Sequence, residues 1–82
     1  MARSNGLDEL QKYRGTIMPA VLIHHIIPVK EDPAGACDLG NLIALSSASH
    51  KLVHDLYNNP EEKAETQKLL RTIVQNEMEY MN

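Results

Sequence analysis

The chain has 82 residues, 43% hydrophobic and only 4% aromatic, with a formal net charge of −3. That length supports one domain with one small aliphatic core. A protein that coats nucleic acid by neutralising phosphates would be basic, so the charge argues against that class while leaving room for an enzyme that grips a few phosphates through a metal. A single cysteine, Cys37, rules out an internal disulfide and a cysteine-rich zinc knuckle, and reads as incidental.

Apolar stretches around residues 20–23 and 26–29 are far too short to span a bilayer, and the first six residues lack an apolar signal-peptide core. A soluble, cytoplasmic protein is expected. Residues 5–14 (NGLDELQKYR) predict a short helix, with Asp8 and Glu9 in its first turn, Leu7 and Leu10 on one face, and Gly15 ending it. From Thr16 to Val29 the apolar, β-branched run broken by Pro19 and Pro28 predicts a strand carrying His24 and His25 near its end. Residues 30–40 (KEDPAGACDLG) read as an extended loop, and 41–45 (NLIAL) as a second strand forming a loose hairpin with the first.

Ser46-Ser47 then opens a helix through Tyr57, with a serine as N-cap; Leu52, Val53 and Leu56 are expected to face the core, with His50 and His54 one turn apart. Asn59 suits the N-cap of a last helix, Pro60 its first position, and Glu61 and Glu62 complement its dipole. That helix runs to about Tyr80, with Leu69, Leu70, Ile73, Val74, Met78 and Met81 as its apolar stripe. The expected class is α+β: helix, β-hairpin, helix, helix.

All four histidines lie between positions 24 and 54. Imidazole is the commonest transition-metal ligand and the side chain best matched to proton transfer at neutral pH. His50 and His54, at i and i+4, project to the same side of a helix and can share one ion, although an isolated H-x-x-x-H is more often two surface residues. His24 and His25 sit in an otherwise aliphatic strand (VLIHHIIPV), where an unpaired buried imidazole is costly. They are either structural or divided in role, one completing a three-histidine metal site and the other free as a general base. A regular strand aims neighbours to opposite faces, so both serve one site only at a strand edge or where the backbone twists. Asn41, across the hairpin, could orient such a base by its side-chain amide or by fixing the loop; beside Gly40 it also suits a turn.

The run IHHIIPVKEDPAGACDLGNLIALSSASHKLVH closely resembles the HNH endonucleases, the ββα-metal nucleases, especially their small phage-type members. It carries His-His, a proline three residues on, an Asp-x-x-Asn-Leu-Ile-x-Leu strand and the closing His-x-x-x-His. The spacing HH-x(15)-N-x(8)-H-x(3)-H is also similar to that of the colicin-type bacteriocin DNases. The resemblance covers residues 19–57 and implies a single HNH nuclease domain over 1–82, with a ββα-metal core at about 19–57 and a C-terminal helix at about 60–80. Position by position it implies His24, His50 and His54 as metal ligands, His25 as general base and Asn41 as the residue that orients it. The implied activity is hydrolysis of DNA phosphodiester bonds with one divalent ion, Mg²⁺ or Mn²⁺ for turnover, while Zn²⁺ or Ni²⁺ can bind three imidazoles.

Two departures from that family stand out. Where many phage-type relatives carry zinc-knuckle cysteines this chain has Ser46 and Ser49, so the terminal helices must brace hairpin and helix instead. The basic flank is also missing: Lys30, Lys51 and Arg14 are the nearest cations, Lys51 being best placed to meet a phosphate. Asp32, Asp38 and Asp55 read as turn or surface residues. The rival reading is a non-catalytic, metal-stapled DNA- or protein-binding module of a phage packaging or restriction system, in which His25 becomes a fourth ligand. A monomer that nicks one strand is expected over a homodimer, because so small a chain can scarcely spare a helix from its own core.

Overall fold

The computed structural model describes the backbone of residues 4–80 and the side chains of residues 4–77. It is a small α+β fold. Helix α1 (Glu9–Tyr13) is followed by strand β1 (Leu22–His25), two 3₁₀ turns (Pro33–Cys37 and Leu39–Asn41), strand β2 (Leu42–Leu45), helix α2 (Ser47–Leu56) and helix α3 (Pro60–Tyr80). The strands pair antiparallel, with Leu22 opposite Leu45 and His24 opposite Ile43. Leu10, Ile26, Ile43, Leu45, Val53, Leu70, Ile73 and Val74 form one buried aliphatic cluster, so both terminal helices contribute to the core.

Several expectations from the sequence are corrected. The first helix is half as long as predicted because Asn5 and Gly6 have positive φ (55° and 76°), and Asp8 is its N-cap, accepting from Gln11 N at 2.8 Å. The predicted strand over Thr16–Val29 shrinks to four residues. The segment before it lies instead along residues 6–8, through Asp8 N to Met18 O (2.7 Å) and Ala20 N to Gly6 O (2.9 Å). The loop over residues 30–40 is mostly 3₁₀, with Asp38 capping Gly40 N at 2.9 Å. Leu52 and Leu69, both expected in the core, are 41% and 40% exposed. The Met78 side chain and Met81 lie outside the described residues.

Asp8 and Glu9 do something the sequence reading did not anticipate. Both are buried. Glu9 Oε2 accepts from Ala44 N at 2.7 Å, and Asp8 Oδ2 accepts from Ser46 N at 2.8 Å and from the Ser46 hydroxyl at 2.6 Å. A two-stranded sheet leaves a row of unpaired N–H groups on each outer edge; here two carboxylates from α1 close the outer edge of β2. Ser46 Oγ also accepts from Ser49 N at 3.2 Å, capping α2 as its sequence predicts. Hydrogen bonds through Asp8, Ser46 and Ser49 thus brace α1, β2 and α2. Burial pushes the Asp8 carboxyl up, but hydrogen bonds from Ser46, Ser49 and Gln11 outweigh it and hold the pKa below its usual value.

Candidate functional site

The capped start of α2 sets the rotation of that helix, so His50 and His54 fall on one side of it, facing the end of β1. All four histidines line a single open cleft of about 500 Å³, together with Ile23, Pro28, Val29, Tyr57 and Asn58. His24 and His25, neighbours in sequence, reach it together because His25 is the last residue of β1 and the chain bends immediately after it.

His24 packs edge-on against two rings, with centroid separations of 5.6 Å to His50 and 5.4 Å to Tyr57; His50 and His54 are 6.3 Å apart. Burial, reinforced by the neighbouring His50, His25 and His54, lowers the His24 pKa from 6.5 to about 4. The ring is neutral at pH 7, as a metal ligand must be.

Hydrogen bonds fix two tautomers. The Tyr57 hydroxyl donates to the Ile26 carbonyl at 2.7 Å, so at the 3.4 Å contact with His24 Nε2 it can only accept. His24 therefore carries its proton on Nε2 and offers the Nδ1 lone pair. His25 Nε2 meets the Ala36 carbonyl at 3.1 Å, and a carbonyl only accepts, so this ring too is protonated on Nε2 with Nδ1 free.

Asn41 is buried, and its side-chain hydrogen bonds go to groups other than the His25 ring. Its Oδ1 accepts from Ile27 N at 2.8 Å, and its Nδ2 donates to the carbonyls of Ile27 (3.0 Å) and Gly35 (3.2 Å). Of its two expected arrangements, a direct side-chain bond to the imidazole or a hold on the loop, the hydrogen bonds are those of the second. Asn41 clamps the bend after β1 to the turn that presents the Ala36 carbonyl.

Lys51 does not line the cleft. It is exposed and pairs with Asp55 at 3.4 Å, one turn along α2. Arg14 lines a different groove altogether. Tyr57 was overlooked as a site residue, although His50, His54 and Tyr57 stand at i, i+4 and i+7, the spacing of one helix stripe.

Two imidazoles sharing one tetrahedral ion, with metal–nitrogen bonds of about 2.0 Å, hold their ring centres roughly 5 Å apart. His24 and His50 are near that spacing and His54 is wider. Among the described residues no three His, Cys, Asp or Glu donors already converge on one point. The donor chemistry fits a divalent ion, and His54 would have to swing inward to join it. No helix among the described residues is long and apolar enough to cross a membrane. Comparison of the chain with protein-family models, with curated proteins and with solved structures gives no significant match.

Proposed function

We propose that this chain is a small metal-dependent DNA endonuclease of the HNH type, with a ββα-metal core formed by β1, β2 and α2. The observation that carries the reading is the single cleft lined by all four histidines, in which ring contacts link His24, His50 and His54 while His25 is held instead by the Ala36 carbonyl. His24, His50 and His54 would hold one divalent ion. That ion would supply positive charge beside a phosphate oxygen and stabilise the leaving 3′-oxygen. His25 takes a proton from water through Nδ1, and the Ala36 carbonyl holds the ring in place and stabilises the imidazolium that forms. Asn41 keeps that carbonyl where His25 needs it. Burial, and after it the crowding of the other three imidazoles, keeps His24 neutral and ready to bind.

The test is a supercoiled-plasmid assay with and without metal. Open circular DNA should form first, cleavage should stop in excess chelator, and Mn²⁺ or Mg²⁺ should restore it. Undiminished cleavage in chelator would refute the one-metal mechanism, and no cleavage with any divalent ion would refute the nuclease reading.

A further inference from the structure

Leu52 and Leu69 are exposed rather than in the core, and they are exposed in the same place. With Tyr13, which is 58% exposed, they line a groove of about 320 Å³ walled by α1, α2 and α3. Exposed apolar surface concentrated in one concavity marks a contact site more often than surface scattered singly. Arg14 lies on this groove. A second depression carries Glu61, Glu62 and Glu65, and it shares Leu56 and Thr66 with the first, so the two are continuous. Among the described residues neither Arg14 nor these three glutamates form an ion pair.

We infer that this face binds a second copy of the chain in a two-fold dimer. A two-fold interface must be self-complementary, so that if residue i meets residue j, then j meets i. A surface with a cation at one end, carboxylates at the other and apolar side chains between meets that condition. An axis through the shared Leu56–Thr66 region sets Arg14 of one copy against the Glu61–Glu65 cluster of the other, twice. Apolar burial drives the association, and the charge pairs select its register. A monomer is expected if the whole apolar stripe of α3 is needed for the core. Leu70, Ile73 and Val74 meet that need, leaving Leu69 for a partner.

The position of the groove bears on cleavage. At about 100° per residue, Leu52 and Leu56 lie roughly 200° around α2 from His50 and His54. Dimerisation therefore leaves both histidine clefts facing outward and does not bring them together on one duplex.

Sedimentation of the 82-residue chain from micromolar to sub-millimolar concentration tests the proposal without reference to catalysis. The wild type should move from monomer to dimer mass. Leu69→Glu, at an exposed position, should remain folded by circular dichroism and stay monomeric. Arg14→Glu should weaken association about tenfold, and adding Glu62→Lys and Glu65→Lys should restore it. A wild type monomeric throughout, a dimer indifferent to Leu69→Glu, or charge reversal that the compensating changes fail to repair would each overturn it.

Discussion

Asn41 donates from Nδ2 to the Gly35 carbonyl at 3.2 Å, and a Cβ on Gly35 would lie only 2.9 Å from that same nitrogen. The absent side chain at 35 and the amide at 41 are therefore two halves of one fitting. Gly35→Ala should displace the Asn41 amide and with it the Ala36 carbonyl that holds His25. Asn41→Ala should strand the groups it now satisfies, at about 1–3 kcal/mol for each that stays buried. Both variants should lose turnover with metal affinity nearly unchanged, as read by titration calorimetry. Normal nicking by folded Gly35→Ala would show that the turn does not position the base.

His25 and His50 line the same cleft but should respond differently to removal. His25→Ala is expected to lower turnover by roughly 10²–10⁴-fold, the range for a general base, while leaving metal binding nearly intact. His50→Ala should weaken metal binding itself. Equal loss of metal in the two variants would mean that all four rings ligate, as in a structural staple.

Acid should destabilise the metal-free protein in two stages. The His24 pKa is lowered to about 4, so between pH 6.5 and that value the unfolded chain binds a proton that the folded one refuses. Stability falls as pH drops through this window. The depressed Asp8 pKa adds a second loss at lower pH, because its contribution is complete above 3.8 and disappears as pH falls through the folded value. Melting temperatures measured from pH 7 downward in chelator should show both. His24→Gln should flatten the upper stage and leave the lower one.

Tyr57→Phe keeps the ring beside His24 but removes the hydroxyl. Gln67 Nε2 still reaches the Ile26 carbonyl at 3.2 Å, so that acceptor is not orphaned and the loss of stability should be modest, about 1 kcal/mol. The His24 tautomer should lose its constraint, visible as a change in the ring ¹⁵N shifts of metal-free protein. Unchanged shifts would show that the 3.4 Å contact does not hold the ring.

Asp8→Asn replaces an acceptor of two hydrogen bonds from Ser46 with a group that also carries donors. A loss of roughly 1.5–3 kcal/mol is expected for disrupting a charge-assisted contact of this kind, measured by urea denaturation. Wild-type stability in this variant would show that the carboxylate is not needed at the edge of β2.

What could be read from the sequence was what depends on near neighbours. Ser46 as N-cap, Asn59 and Pro60 at the start of α3, and His50 with His54 on one face all follow from spacings within a turn or so. Asp8 and Glu9 were read as dipole partners in a first turn, which accounts for their presence but not their burial; their partners at Ala44 and Ser46 lie more than thirty residues away. Leu52 was assigned to the core because an apolar residue on an amphipathic helix usually belongs there, and nothing local distinguishes it from Val53. The histidine cleft was anticipated by residue type and order. That Asn41 holds the loop rather than the His25 ring depended on which carbonyls the turn at Gly35 presents.

The tie between Asp8 and Ser46 also limits how far the histidine motif can be treated as a module. Residues 19–57 contain every histidine and the asparagine, yet the carboxylate that anchors the first turn of α2 comes from before that stretch. Leu70, Ile73 and Val74, which complete the core, come from after it. A fragment cut to the motif would keep the four histidines and Asn41 and lose the scaffold that holds them in place. The support of the motif therefore extends from α1 to α3, and grafting it into another protein would require carrying both helices along.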